Sequence, residues 1–242
     1  QEIYEIIKKQ KEIALKKMCP VALLVKKGTF IPYELPVSYQ DNINSEIENL
    51  MSRTEVIDHY VGLEKSHIVV STTGVTSREL LASRKNNKKD SSGDFLTVGG
   101  MGHASQIALG IAMNKKSTKV ICFDGDGALL MHMGSLASVA DSNCNNYHYI
   151  LLNNSVHDSV GGQPIGTKNA DFLKLAKSLG FKKTFRINDK KQLSMLENIF
   201  EENGPTFTEI KIKPGFPSEL IRPDKTPLEN KHAFEEYLKK FT

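Results

Sequence analysis

The chain has 242 residues, of which 39% are hydrophobic, and this is enough to bury one large core or two small ones. Its net charge of +4 is spread through lysine-rich segments without interleaved aromatic residues, and no apolar run reaches about 18 residues, so we expect no nucleic-acid binding, membrane insertion or export. Cys19, Cys122 and Cys144 lack metal-ligand spacing, which is typical of reduced thiols in a cytoplasmic protein.

The amino-terminal segment has its own pattern. Residues 2–17 carry apolar side chains among lysines and glutamates, which predicts a partly amphipathic helix. A buried strand is predicted at 20–25 and a linker at 28–44. Because one helix and one strand cannot close a core, we interpret the first forty residues as the end of a part that is missing, and the chain as a fragment or processed product.

From residue 45 onward, helical and strand patterns alternate regularly. Helices are predicted at 45–61, 76–85, 103–114, 129–142, 169–179 and 189–202. Strands are predicted at 67–71, 95–98, 118–123, 147–152, 182–187 and 206–212. This alternation predicts an α/β fold, with a doubly wound, largely parallel sheet and helices on both faces. We expect this domain to span 45–213, followed by a tail at 214–242 that contains a helix at 229–241.

Two polar loops follow neighbouring predicted strands, at the edge where open α/β sheets bind ligands. One contains Gly125-Asp126-Gly127, and the other contains Asn154. Magnesium prefers oxygen ligands, and Asp126 can supply a carboxylate, Asn154 an amide oxygen and Val156 a backbone carbonyl. The flanking glycines let the backbone approach a phosphate closely. The pairing predicts a diphosphate held through Mg²⁺, and it points to thiamine diphosphate.

Two further loops at this edge carry candidate contacts. Thr73 and Gly74 precede a predicted helix and could bind the diphosphate or cap the helix; their place at the sheet edge favours the diphosphate. In the next loop, glycines including Gly99 surround Met101, which could hold a cofactor bent or be an ordinary core methionine. His103 could contact the substrate or stay structural.

The segment 155–164 is polar and contains glycines, and we expect it to be a lid or substrate loop beside the metal. Within it, hydrogen bonding inside the loop is favoured over direct catalysis for His157 and Asp158. The loop would therefore shape the site without carrying its chemistry.

Several strings carry a resemblance to a known family. They are STTG at 71–74, TSRE at 76–79, DFLTVGGMGHASQ at 94–106, DGDGA at 124–128 and HDSVGGQP at 157–164. With these strings, the chain resembles the carboxyl-terminal part of the phosphonopyruvate decarboxylases, thiamine-diphosphate enzymes related to the sulfopyruvate decarboxylases. The resemblance implies decarboxylation of phosphonopyruvate to phosphonoacetaldehyde, a step towards 2-aminoethylphosphonate, with thiamine diphosphate and Mg²⁺ as cofactors.

The resemblance also implies roles for individual residues. Asp126, Asn154 and the Val156 carbonyl would bind the metal, Met101 would support the bent cofactor, and the Gly99 carbonyl would contact its aminopyrimidine. The residues expected at the cofactor are Thr73, Gly74, Gly99, Met101, Gly125, Gly127 and Ala128. By the same resemblance, 45–213 is the diphosphate-binding domain and 1–27 belongs to the pyrimidine-binding domain.

One part of the expected site has no counterpart in this sequence. The glutamate that activates the aminopyrimidine belongs to the pyrimidine-binding domain, so no catalytic residue is assigned with certainty here. We expect that domain as a partner, in cis or as a second subunit, together with a small anionic 2-keto acid substrate and association into a homo-oligomer. The isolated chain should turn over weakly or not at all. A sulfopyruvate decarboxylase subunit and a noncatalytic cofactor-binding or assembly fragment are the alternatives.

Overall fold

A computed structural model describes residues 2–31, 50–63, 65–166 and 170–241. The chain forms two compact units, Gln1–Pro36 and Val37–Thr242. Most of the predicted linker and the first residues of the helix predicted at 45–61 lie outside the described residues.

The first unit contains helix α1 (Glu2–Lys17), which has acidic residues in its first turn, basic residues in its last turn and no buried side chain. This charge order complements the helix dipole. The strand predicted at 20–25 is wrong, because these residues have no regular secondary structure and Leu24 is 97% exposed. Among the described residues, no strand pairs with this run, and an extended segment needs a neighbour for its backbone hydrogen bonds.

The second unit alternates strands and helices. Its helices are α2 (Arg53–Gly62), α3 (Val75–Asn86), α4 (Ala104–Asn114), α5 (Asp126–Met131), α6 (Ser135–Asp141), α7 (Phe172–Ser178), α8 (Met195–Glu201) and α9 (Pro227–Leu238). Its strands are β1 (Ile68–Ser71), β2 (Asp94–Leu96), β3 (Val120–Gly125), β4 (Tyr147–Asn153), β5 (Val156–His157), β6 (Gln163–Pro164), β7 (Lys183–Ile187) and β8 (Thr206–Lys211).

Six of these strands form one sheet in the order β2-β1-β3-β4-β8-β7, and every neighbouring pair is parallel. Strands β5 and β6 form a short antiparallel pair. Successive side chains face opposite sides of the sheet, so Ile68 and Val70 join one core with α4, α6, α7 and α9, whereas Val69 joins a second core with α2, α3 and α8. The predicted doubly wound sheet with helices on both faces is confirmed.

Several predicted helices have other bounds in the structure, and two of them differ in kind. The helix predicted at 129–142 is α5 followed by α6, with a break at 132–134, and α5 already begins at Asp126. The helix predicted at 189–202 begins with a 3-10 turn, Lys190–Ser194, because the Asp189 side chain accepts a hydrogen bond from the Gln192 amide. At the second helix, this capping contact overrides the apolar spacing on which the prediction depended.

Candidate functional site

The order of the strands places a crevice between β1 and β3. The chain runs from β1 to β2 on one side and then crosses to β3 on the other, so the connections diverge at this point. The register pairs Ser71 with Phe123, and Phe123 with Ile150, so the loops after β1, β3 and β4 start at the same edge. Ligands of open α/β sheets bind beyond the carboxyl ends of strands at such a point.

A cleft of about 70 Å³ lies there. The predicted site residues that line it are Thr73, Met101, Gly125, Asp126, Gly127, Ala128, Asn154 and Val156. The structure therefore brings together residues from four separate loops, as expected if they serve one ligand.

The Asp126 side chain joins the loop after β3 to the loop after β4. Its Oδ1 accepts a hydrogen bond from the Gly127 amide at 2.8 Å, and its Oδ2 accepts one from the Ser155 amide at 2.6 Å. Burial raises the pKa of Asp126 to about 6, although these two backbone hydrogen bonds oppose the rise. A cation in the cleft would favour the ionised carboxylate, since opposite charges lower the pKa of a carboxyl group.

Asn154 follows β4 directly and is buried. Its Oδ1 accepts a long hydrogen bond of 3.3 Å from the Val156 amide, and its Nδ2 donates to Asp158 Oδ2 at 2.6 Å. Ser155, which lies between Asn154 and Val156, has a φ of +62°, in the left-handed region that non-glycine residues seldom adopt. This conformation turns the chain sharply, and the Ser155 amide reaches Asp126. Strained backbone of this kind is concentrated at functional sites.

The amino end of α3 borders the same cleft. Gly74 is its N-cap, and no side chain caps the helix. The Thr73 hydroxyl instead accepts a hydrogen bond from the Gly99 amide at 3.0 Å, and the Ser77 hydroxyl donates to the Thr72 carbonyl at 2.7 Å. Of the two alternatives for Thr73, capping of α3 is therefore not observed. An anion is favoured beside a helix start whose amides lack side-chain partners.

Met101 and His157 face each other across Gly127. A β-carbon on Gly127 would lie 2.9 Å from the His157 ring and 3.5 Å from the Met101 methyl group. Only glycine fits here without a shift of its neighbours. Met101 is half-buried and lines the cleft, so it is not an ordinary core methionine.

Three predicted residues do not line the cleft. Gly99 and Gly74 lie at its border through the contacts of Thr73 and α3. The His103 ring is exposed and lies 4.2 Å from the His132 ring, measured between centroids. The structure thus gives His103 an aromatic neighbour, and its contact with a substrate stays a prediction.

The sequence did not reveal the role of Arg53, which is 6% exposed and lines the cleft. Its Nη1 donates to Glu79 at 3.0 Å, and its Nη2 donates to Asp158 at 2.6 Å. The prediction of hydrogen bonds inside the loop is confirmed for Asp158, which accepts one from Asn154. Asp158 also accepts hydrogen bonds from Arg53 and from the Gly215 amide, both outside the loop, which the sequence did not indicate. The helix predicted at 45–61 begins only at Arg53, and nothing local in the sequence indicates which distant carboxylates the guanidinium meets.

A larger cavity of about 590 Å³ lies at the opposite, amino-terminal edge of the sheet, near Lys119, Asn146 and Asn203. It contains none of the predicted site residues, so the largest volume does not identify the functional site here.

Within the described ranges, no group of three or more His, Cys, Asp and Glu side chains could hold a metal ion. The predicted metal site uses only one carboxylate and must be judged by its oxygen donors. In the same ranges, no helix is long and apolar enough to cross a membrane.

The fold and the position of the cleft are typical of α/β proteins that bind a phosphate-bearing cofactor at the switch point of the sheet. Comparison with known proteins narrows this class. The family model described as "Thiamine pyrophosphate enzyme, C-terminal TPP binding domain" matches residues 73–210. The chain belongs to this family, and its cofactor is thiamine pyrophosphate, also called thiamine diphosphate.

The chain is 35% identical over 177 residues to a phosphonopyruvate decarboxylase of Streptomyces viridochromogenes. The aligned region covers 73% of this chain and 43% of that protein. It is 32% identical over 166 residues to a sulfopyruvate decarboxylase subunit beta of Methanothermobacter thermautotrophicus, covering 69% of this chain and 84% of that subunit. The chain thus spans less than half the length of the Streptomyces decarboxylase.

A solved structure of a thiamin diphosphate-dependent enzyme from Mycobacterium smegmatis superposes with a TM-score of 0.57 at 19% identity, covering 68% of this chain and 32% of that one. This likeness concerns the fold alone. It agrees with the parallel sheet described above.

Proposed function

We propose that this chain is the diphosphate-binding part of a Mg²⁺-dependent 2-keto acid decarboxylase whose substrate is phosphonopyruvate. The observation that carries the proposal is the hydrogen bond from the Ser155 amide to Asp126, which brings the loops after β3 and β4 together in one cleft. Two phosphonopyruvate decarboxylases, at 35% and 36% identity, support the choice of substrate.

The residues in the cleft fit a diphosphate with its metal. The Asp126 carboxylate, the Asn154 amide oxygen and the Val156 carbonyl are hard oxygen donors of the kind that Mg²⁺ prefers. A single carboxylate ligand limits repulsion of an anionic cofactor. The uncapped amino end of α3 supplies backbone amides on the other side of the cleft, where phosphate oxygens are favoured.

Thiamine diphosphate supplies the carbon nucleophile and the electron sink for decarboxylation. The residues of this chain would bind and orient it: Asp126 and Asn154 would hold the metal, and Met101 would offer an apolar support. Both acidic residues that line the cleft are engaged, Asp126 with two backbone amides and Asp158 with Arg53 and Asn154. The resemblance to the phosphonopyruvate decarboxylases implies that the activating carboxylate would come from a pyrimidine-binding domain, in cis or in a partner subunit.

Sulfopyruvate is the second candidate substrate. Two sulfopyruvate decarboxylase beta subunits are matched over 84% and 99% of their length, which favours an arrangement with the pyrimidine-binding part on another chain. Phosphonate and sulfonate groups differ mainly in charge and protonation, so the same cleft could serve either acid.

Calorimetry with thiamine diphosphate and Mg²⁺ tests the binding half of the proposal. We expect thiamine diphosphate to bind to the chain only when Mg²⁺ is present. Asp126→Ala should weaken this binding about 100-fold, or about 2.7 kcal/mol. Asp90→Ala is the control, because Asp90 lies in an exposed loop and does not line the cleft. Equal affinity of the wild type and Asp126→Ala would contradict the metal site.

Decarboxylation assays test the activity. The chain alone should release little or no carbon dioxide from phosphonopyruvate or sulfopyruvate, and addition of a pyrimidine-binding domain, fused or separate, should restore turnover of phosphonopyruvate. Preference for sulfopyruvate would replace the first candidate by the second. Robust turnover by the isolated chain would overturn the division of the site, and no turnover with the complete enzyme would leave a noncatalytic binding fragment.

A further inference from the structure

Three buried side chains form a hydrogen-bonded series that ends at Asn154. Arg53, at the start of α2, donates through Nη2 to Asp158 Oδ2 at 2.6 Å. Asn154 Nδ2 donates to the same oxygen, also at 2.6 Å. The other carboxylate oxygen, Asp158 Oδ1, accepts from the Gly215 amide at 2.9 Å. Asp158 is thus fixed from three sides, by α2, by its own loop and by the segment that follows β8.

This arrangement determines which end of the Asn154 amide faces the cleft. A carboxylate accepts hydrogen bonds and has none to donate, so the group turned towards Asp158 must be the amide nitrogen. The amide oxygen then points away from Asp158. From the residues that the structure describes, it receives only the 3.3 Å hydrogen bond of the Val156 amide, which leaves a lone pair for a cation.

Arg53 balances the charge of the Asp158 carboxylate and also fixes its position. The guanidinium holds Glu79 through Nη1 at 3.0 Å while Nη2 holds Asp158, so its rotamer is fixed by two elements, α3 and the loop after β4. Thr54 fixes Glu79 in turn, at 2.9 Å. Since both guanidinium nitrogens serve buried carboxylates, Arg53 is compensated and is not a free contact for a substrate anion.

We propose that Asp158, held by Arg53, is a positioning residue that locks the Asn154 amide oxygen in the orientation required to bind the divalent metal. The inference rests on the proposed function, in which Asn154 is a metal ligand. Both oxygens of Asp158 accept hydrogen bonds from protein groups, so Asp158 would act through Asn154 and not as a ligand. Partners that orient metal ligands in this way affect metal affinity by about 10- to 100-fold.

The test measures metal binding directly. Mn²⁺, which accepts the same oxygen ligands, is titrated into the full chain with thiamine diphosphate, and free Mn²⁺ is followed by electron paramagnetic resonance. In Asp158→Asn the new side chain can donate as well as accept, so the Asn154 amide loses its single preferred orientation. We expect about 10-fold weaker Mn²⁺ binding, and a larger loss in Asp158→Ala.

Competition by Mg²⁺ and Ca²⁺ separates positioning from general loosening of the fold. Mg²⁺ demands near-ideal octahedral geometry, whereas Ca²⁺ tolerates irregular ligand sets. Loss of the Asn154 orientation should therefore weaken Mg²⁺ more than Ca²⁺, and the ratio of Ca²⁺ to Mg²⁺ affinity should rise at least severalfold in Asp158→Asn. An unchanged ratio together with unchanged Mn²⁺ affinity would overturn the inference.

Asp94→Asn is the matched control. Asp94 is also a buried carboxylate bound by an arginine, with hydrogen bonds of 2.8 and 2.9 Å from Arg84, but it does not line the cleft. This variant should lower the denaturation midpoint and leave the metal preference unchanged. If the wild type itself binds no Mn²⁺ with thiamine diphosphate, the proposed function fails and the inference with it. If the wild type binds and Asp158→Asn binds equally, only the inference fails.

Discussion

Replacement of Gly102 by alanine should strongly destabilise the second unit. Gly102 has a φ of +87°, and a β-carbon built there would lie 2.7 Å from His132 Nδ1 and 2.9 Å from the Ala128 carbonyl oxygen. The left-handed conformation costs an L-residue about 1–2 kcal/mol. Overpacking adds about 1–3 kcal/mol, because the Ala128 carbonyl belongs to the backbone of α5 and cannot simply rotate away. We expect Gly102→Ala to lower the free energy of unfolding by about 2–5 kcal/mol.

Gly110→Ala provides a control with the same chemical change. Gly110 lies in the exposed part of α4, and nothing lies within 4 Å of a β-carbon built there. Alanine exceeds glycine in helix propensity by about 1 kcal/mol, so this variant should be more stable than the wild type. Urea denaturation followed by far-ultraviolet circular dichroism measures both variants. A loss below about 1 kcal/mol for Gly102→Ala, or shifts of the same sign in both, would refute the reasoning.

Three further predictions concern pH, the core and a helix start. Burial lowers the pKa of His67 to about 4 and of His148 to about 3, so both are neutral when folded, whereas the unfolded chain titrates near pH 6.5. The free energy of unfolding should therefore be retained above about pH 6.5. Between about pH 6.5 and pH 4 it should fall by about 1.4 kcal/mol per histidine for each pH unit. Urea titrations over this range measure the slope, and His148→Gln should roughly halve it. Leu80→Ala, at a buried position within α3, should cost about 2–5 kcal/mol by the same assay, whereas Leu228→Ala at a 63% exposed position should change stability by less than about 0.5 kcal/mol. Ser52→Ala removes the capping box of α2 and should lower the thermal midpoint through a loss of about 1 kcal/mol, and an unchanged midpoint would show that the cap contributes nothing.

The strands of the sheet were predictable because both faces of a parallel sheet are covered. Strand β4 is buried along its whole length, and such strands are continuous apolar runs in the sequence. The residues at 20–25 have the same apolar pattern, yet they form no strand. An apolar run indicates side chains that could be buried in a sheet, but it does not report whether a neighbouring strand exists to cover them and to receive the hydrogen bonds; Leu24 is 97% exposed.

The candidate site was predictable to the extent that it lies at the ends of strands. Asp126 directly follows β3 and Asn154 directly follows β4. Parallel pairing of these strands is therefore enough to bring the two residues to one edge of the sheet. Arg53 was not predictable, because its partners Glu79 and Asp158 are 26 and 105 residues away. Contacts of this range depend on how helices and loops pack over the finished sheet.

The burial of β4 has a consequence for how a ligand could leave. All seven residues of this strand are buried between β3 and β8, so its amide protons should exchange with solvent only when the whole sheet opens. The Val156–His157 and Gln163–Pro164 ladder just beyond it pairs only two residues with two, and Gln163 and Pro164 are exposed. Local opening of this small ladder needs far less free energy than opening of the sheet. The ligand-binding edge can thus loosen on its own, while the strand that delivers Asn154 stays fully protected.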